Sequence, residues 1–339
     1  MRATVLHSPG DIRLDEVDDP RIEEPTDAIV RTVAACVCGS DLWPYRGINE
    51  QDGPSQIGHE FIGVVDEVGS AVTGLSVGVF VIGPFLYSDN TCAICAKGMT
   101  AGCLNGGGYV GCQAERIRVP QADGTLVIVP GEDVTPDLHA DLLALSDVFP
   151  TGHHAAVSAG VTEGSTVVVV GDGAVGLCAV LAAKRLGAAT VIAMSRHASR
   201  QEIATEFGAD HLVEERGKEG AARVKELLGG IGADAVLECV GTQESMKQAF
   251  SSLRPGGTVG YVGLPHDVEL NVPLMFFTNR NLVGGVAPVR AYLDELLPEV
   301  LDGRLRPGRV FDLELGLDEV DEAYRAMDER RAIKALLRP

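Results

Sequence analysis

The run Thr166-Val167-Val168-Val169-Val170, with Gly171-Asp172-Gly173-Ala174-Val175-Gly176 behind it, constrains this chain more than any other feature. Four consecutive valines suit a strand buried on both faces, as in the interior of a parallel sheet. The next six residues match GxGxxG, and residues 177–186 read as a helix that Gly187 ends. That order is the opening of a dinucleotide-binding unit. Gly171 allows the tight turn, Gly173 lets a pyrophosphate approach the backbone, and Gly176 lets the helix pack on the strand. Ala174 and Val175 stand where the first N–H groups of the helix are free for phosphate oxygens.

The alternation then continues. Residues 190–194, 211–213, 235–239 and 257–262 read as strands, with helices over 200–207, 221–228 and 243–253. This pattern predicts an α/β fold with a Rossmann doubly wound parallel sheet. Upstream, the chain reads as short strands and turns, for example 61–69 and 77–82, then helical pieces over 138–145 and 151–159. Helices over 292–301 and 317–330 are expected to rejoin that first region. A length of 339 residues accommodates two domains. The expected division is 1–150 completed by 287–339, a mainly β catalytic domain, and 151–286, the dinucleotide-binding domain.

Composition removes several function classes. A formal charge of −20 disfavours nucleic acid as a partner, because phosphate contacts need Lys/Arg patches. Residues 167–183 are apolar enough to raise the question of a membrane span, but Asp172 and three glycines interrupt them. No apolar leader is expected, since Met1–His7 soon meets Asp11, Asp15 and Glu16. The reading is a cytoplasmic protein with no membrane partner. Of eight cysteines, Cys92, Cys95 and Cys103 crowd into one loop, which in a reducing compartment favours a metal over disulfides.

An acid usually stands about 20 residues beyond the glycines, where it accepts hydrogen bonds from the ribose. Here Ser195, Arg196 and His197 occupy that place, and Arg200 follows. A hydroxyl with guanidinium groups suits a 2′-phosphate instead. NADP(H) is therefore expected over NAD(H), the alternative being that these arginines are a solvated helix start.

Cys38-Gly39-Ser40-Asp41, Gly58-His59-Glu60 and Asp147 supply a thiol, an imidazole and an acid. Such a trio makes a three-ligand zinc site with an open fourth position, as Lewis-acid catalysis needs. Each residue alone has a plainer reading in the core.

Together, in this order, these motifs resemble the zinc-dependent medium-chain alcohol dehydrogenases along nearly the whole chain. The resemblance carried by Cys38-Gly39-Ser40-Asp41, Gly58-His59-Glu60, the cysteine loop, Asp147-x-x-x-Thr151-Gly152 and Gly171-x-Gly173-x-x-Gly176 implies a GroES-like catalytic domain beside the Rossmann domain. It also implies catalytic zinc on Cys38, His59 and Asp147, the acid being typical of a bacterial branch. It makes Asp41 the acid that orients His59, Glu60 the acid beside the metal, and Ser40 the hydroxyl that passes on the alcohol proton. The family often continues that relay with a histidine where this chain has Trp43, and an indole cannot shuttle protons. Trp43 is expected to narrow the substrate pocket instead, its alternative being an ordinary core indole. Phe85 resembles a second pocket position, while Thr151, Val262, Gly263 and Leu264 resemble nicotinamide contacts.

Cys92-x2-Cys95-x7-Cys103 has the spacing of a structural zinc loop that lacks one thiol. The family pattern puts its first cysteine where this chain has Asp89, whose carboxylate can complete a zinc site. The alternative is a loop that has lost its metal and kept reduced thiols. The implied activity is zinc-dependent hydride transfer between a primary or secondary alcohol and NADP, on a small-molecule alcohol or carbonyl. Alternatives are a polyol or amino-alcohol (sorbitol- or threonine-type) dehydrogenase, or a non-catalytic NADP(H)-binding relative. Relatives are commonly dimers or tetramers, so a homo-oligomer is expected.

Overall fold

A computed structural model of the protein describes residues 1–48, 52–131 and 134–339. The chain divides into two compact units, Met1–Asp147 with Pro288–Pro339, and Val148–Ala287.

The first unit opens on β1 (Arg2–Ser8), β2 (Asp11–Glu16), β3 (Ala28–Cys36), β4 (Ser55–Gln56), β5 (Phe61–Val68) and β6 (Phe80–Gly83). Short strands β7 (Leu86–Tyr87), β8 (Gly107–Gly108), β9 (Arg116–Val119) and β10 (Val127–Ile128) follow. Between them lie α1 (Leu42–Tyr45), α2 (Ala122–Thr125) and α3 (His139–Ala144). The sequence pattern predicted a strand over 77–82. It starts only at Phe80, because Gly78 takes φ +93 and the Val79 N–H bonds back to the Ser76 carbonyl, closing a turn first. Ala28, Val30, Phe61, Val65, Val81 and Ile117 fill the core between these strands.

The second unit is built from α4 (Val148–Ser158), β11 (Thr166–Val170), α5 (Ala174–Arg185), β12 (Thr190–Met194), α6 (Ala198–Glu206), β13 (His211–Val213) and α7 (Gly217–Leu227). It continues with β14 (Ala233–Glu238), α8 (Gln243–Ser252), β15 (Leu253–Tyr261), α9 (Val272–Thr278) and β16 (Asn281–Gly284). The sheet order is β13-β12-β11-β14-β15-β16, every pair parallel. This is the doubly wound order in which ligands bind beyond the carboxyl ends of the strands, where the order reverses. The valines of β11 are buried on both faces, as a central strand requires.

The chain then supplies α10 (Val289–Leu301), β17 (Leu313–Gly316), α11 (Val320–Asp328) and β18 (Ala335–Arg338) to the first unit. Strand β18 runs antiparallel to β3 and parallel to β17, so the sheet reads β10-β6-β5-β3-β18-β17. The helix expected over 317–330 begins instead with a 3₁₀ turn at Leu317–Glu319 and stops before Arg330, which has φ +60. Tyr324 and Met327 on α11 pack with Leu6, Val37 and Leu337 in a second core of this unit.

Candidate active site

Cys38 lies just past β3, in a turn that Asp41 folds by accepting the Cys38 N–H at 2.9 Å. Gly58, at φ +96, turns the chain immediately before His59 and Glu60, and β5 starts at Phe61. Asp147 follows α3, where the Ser146 hydroxyl donates to the Leu143 carbonyl at 2.7 Å. One ligand atom from each of Cys38, His59, Glu60 and Asp147 lies within 4.8 Å of the others. Cys38 Sγ is 3.9 Å from Asp147 Oδ2, and His59 Nε2 is 3.7 Å from the same oxygen.

Around a tetrahedral zinc, ligand atoms stand roughly 3.4 to 3.8 Å apart given bonds of about 2.0–2.3 Å. The observed spacings fit that cradle. Nε2 of His59 faces the cluster, while Nδ1 is 3.5 Å from Asp41 Oδ1, the arrangement in which an acid orients a ligating imidazole. Phe85 stands edge-on to His59 at 6.2 Å between ring centroids, with its N–H on the Ser146 carbonyl at 3.1 Å. Ser40 and Trp43 are half-buried in the turn and in α1, the Trp43 N–H donating to the Ser40 carbonyl at 3.2 Å.

Several residues at this site were not picked out from sequence. Lys334 is buried, with Nζ donating to Glu60 Oε1 at 2.7 Å and to the Val37 carbonyl at 3.2 Å. Gln113 donates to Asp41 Oδ2 at 3.2 Å and in turn accepts from the Tyr324 hydroxyl at 3.1 Å. The only available signal was a lysine alone in the apolar stretch Ile333-Lys334-Ala335-Leu336-Leu337.

The electrostatics explain why these groups need a cation. Burial pushes the Cys38 thiol and the Asp41 and Glu60 carboxyls up. Burial alone would lower His59, but Cys38, Asp41 and Asp147 outweigh it and raise the imidazole well above its ordinary value. Glu60 Oε2 is buried with no hydrogen-bond partner among the described residues. With Cys38, Asp41, Glu60 and Asp147 all ionised against the cationic His59 and Lys334, a surplus of negative charge remains that a divalent ion would balance.

The cysteine loop forms a second cluster. Asp89, Cys92, Cys95 and Cys103 bring ligand atoms within 4.8 Å of one another. Cys92 Sγ is 3.6 Å from Cys95 Sγ and 3.9 Å from Cys103 Sγ. Asp89 Oδ1 is 3.5 and 3.2 Å from the Cys95 and Cys103 sulfurs. Sulfurs sharing a tetrahedral zinc lie about 3.8 Å apart. Asp89 is fixed by the N–H groups of Thr91 and Cys92 and by Asn105 Nδ2, at 2.9, 3.0 and 2.6 Å. Backbone N–H groups of Cys95 and Leu104 hold the Cys92 thiol down at about 7, while burial lifts Cys95 to about 12.

In the second unit, Gly171 takes φ +118, and a Cβ on Gly176 would lie 2.0 Å from the Gly171 carbonyl oxygen. A Cβ on Gly173 would meet nothing within 4 Å among the described residues, which leaves room at the start of α5. Ala174 and Val175 form the first turn of α5. At the neighbouring strand ends, Val262 and Gly263 donate their N–H groups to the Glu238 carbonyl at 2.9 and 3.2 Å. Leu264 is exposed beside them, and Thr151 is half-buried in α4. The Ser195 hydroxyl, the Arg196 backbone N–H and the Arg200 guanidinium all point at the Asp172 carboxylate. In the sequence Asp172 reads only as a break in an apolar run.

Residues 24–131 match the alcohol dehydrogenase GroES-like domain model, and residues 174–302 match the zinc-binding dehydrogenase model. The chain is 34% identical to zinc-type alcohol dehydrogenase B of Aspergillus flavus, covering 100% of this chain and 81% of that one. Among solved structures, the alcohol dehydrogenase from Thermus sp. ATN1 superposes with a TM-score of 0.91 at 33% identity, over 100% of this chain and 99% of that one. An NADP-bound putative zinc-binding dehydrogenase from Sinorhizobium meliloti gives a TM-score of 0.81 at 27% identity, over 100% and 99%. With a GroES-like unit, a Rossmann unit and relatives of this kind along its full length, the chain belongs to the zinc-dependent medium-chain alcohol dehydrogenases.

Proposed function

We propose that the protein interconverts primary or secondary alcohols with aldehydes or ketones, using a catalytic zinc and NADP(H) in preference to NAD(H). The observation that carries the reading is the convergence of Cys38, His59 and Asp147 on one point with Glu60 at its edge. Zinc there supplies a Lewis acid for the alcohol or carbonyl oxygen, and the dinucleotide supplies or accepts the hydride. Asp41 keeps His59 in the orientation that leaves Nε2 free to bind metal. Ser40 passes the proton of the alcohol hydroxyl onward to solvent through water, since the Trp43 indole cannot accept it. Trp43 and Phe85 shape the substrate pocket, the latter supported by its place against His59. Gly171, Gly173, Ala174, Val175 and Gly176 bind the pyrophosphate, and Thr151 with Val262, Gly263 and Leu264 positions the nicotinamide.

NADP(H) is supported by Ser195 and Arg196 just past β12 and by Arg200 in α6, and the Sinorhizobium meliloti relative was solved with NADP. Asp89, Cys92, Cys95 and Cys103 hold a structural zinc, and a cytoplasmic, reducing setting keeps these three thiols and that of Cys38 available. The molecule is a homo-oligomer. Its support is β16, an edge strand, together with α9, where Phe276 and Phe277 are 75% and 80% exposed.

The test is an NADPH-oxidation screen against aldehydes, ketones and polyol-derived carbonyls, with a chelator-treated control, alongside metal analysis. Zinc-dependent turnover with about two zinc ions per chain is expected for one catalytic and one structural site. Undiminished turnover by Cys38→Ala would overturn the catalytic-zinc reading, and a single zinc per chain would overturn the structural one.

A further inference from the structure

The end of β12 and the glycine turn after β11 carry an unforeseen arrangement. Ser195 is fully buried, and its hydroxyl donates to Asp172 Oδ2 at 2.8 Å. The Arg196 backbone N–H points at the same oxygen at 3.4 Å. Arg200 Nη1 reaches Asp172 Oδ1 at 3.4 Å and the Asp172 backbone carbonyl at 3.3 Å. Both side chains of that ion pair are largely covered, at 12% and 19% exposure. A further guanidinium, that of Arg216, donates to the Met194 carbonyl at 3.0 Å and to the Val213, Glu214 and Glu215 carbonyls at 3.2 Å each.

One hydroxyl, one peptide N–H and one guanidinium converging on a single anion is the donor set that recognises a phosphate monoester. Here the anion is the protein's own carboxylate. Burial alone would raise Asp172, but the Ser195 hydroxyl, the Arg200 charge and the Arg196 N–H outweigh it and keep it ionised. A ribose that ends in a hydroxyl can donate to this carboxylate without disturbing the set. A ribose that carries a 2′-phosphate must take the same donors away from it and then lie beside a like charge.

We infer that Asp172 is a specificity-determining residue for the coenzyme: it occupies the 2′-phosphate donors as an internal anion and so narrows the preference for NADP(H) over NAD(H). The inference rests on the reading that Ser195, Arg196 and Arg200 face the adenosine ribose. It differs from that reading in sign, since the arginines favour the phosphate and Asp172 opposes it.

The two are separated by measuring adenosine 2′,5′-bisphosphate and adenosine 5′-monophosphate binding by calorimetry, which needs neither metal nor turnover. Wild type, Asp172→Asn and Asp172→Ser are compared, the serine variant guarding against a folding defect in the other. Each variant should bind the bisphosphate about tenfold more tightly than wild type, the worth of one charge-assisted hydrogen bond. Binding of the monophosphate should stay level or weaken. Unchanged or weaker bisphosphate binding in the folded variants overturns the role of Asp172. A wild type that prefers the monophosphate, with the variants still shifting toward the bisphosphate, overturns the NADP(H) reading and leaves Asp172 as the determinant.

Discussion

Glu60 and Lys334 show what one buried carboxylate requires. Each is at most 2% exposed, and their 2.7 Å ion pair spans 274 residues of sequence. Removing one member of a buried pair strands the other charge and costs about 3–5 kcal/mol. Lys334→Met should therefore lower unfolding stability by about that much in urea titrations, and the double variant with Glu60→Gln should recover a large part of it. A double variant no more stable than the single one would show that Lys334 acts by packing alone. The pair also marks how far the site could be read from sequence. Cys38, His59 and Glu60 sit in short local patterns whose residue types declare their chemistry. Lys334, Gln113 and Tyr324 reach the same place only through strand pairing and helix packing that no local pattern encodes. Asp172 was in plain view within GxGxxG, but its partners lie more than 20 residues downstream.

Elements of the second unit were legible because buried parallel strands are apolar runs separated by helical periods. β11 and β12 follow directly from Thr166–Val170 and Thr190–Met194. β16 was not read, since Asn281-Leu282-Val283-Gly284 is too short and too exposed to differ from a loop. What pins β11 in register is also non-local. Asp234 accepts from the Thr166 N–H and hydroxyl at 2.8 and 2.7 Å, and from Arg254 Nε at 2.7 Å. Burial raises its pKa, but these donors outweigh that effect and hold the carboxyl below its usual range. A lowered folded pKa contributes stability that is complete above the unfolded value of about 3.9 and fades as the pH falls through the folded one. Asp234→Asn should cost about 1 kcal/mol at neutral pH, a screened figure for a partly exposed pair. The deficit should shrink toward pH 3 in denaturant titrations, and a pH-independent deficit would contradict this account. Gly176→Ala is harsher, because its Cβ would meet the Gly171 carbonyl. It should weaken dinucleotide binding at least about tenfold, as seen by quenching of protein fluorescence.

At the scale of the molecule, the chain carries a formal charge of −20, and α9 with β16 presents a group of exposed apolar side chains. Val272, Phe276, Phe277 and Val283 are 63%, 75%, 80% and 48% exposed. If copies associate there, Phe276→Asp with Phe277→Asp should shift light-scattering mass to that of one chain while leaving the far-ultraviolet dichroism intact. An unchanged mass would place the interface elsewhere. The second unit is continuous from Val148 to Ala287, so every strand of its sheet is present once that stretch leaves the ribosome. The first unit is split. Its sheet admits β18 between β3 and β17, and the Lys334 side chain meets a carbonyl 297 residues upstream. During synthesis the thiols of the first unit must therefore wait, unprotected by their finished sheet, until β18 has been translated. A chain interrupted before residue 334 would leave the ribosome with all strands of the second unit's sheet made and the first unit's sheet still open, its thiols exposed to oxidation and chaperone capture.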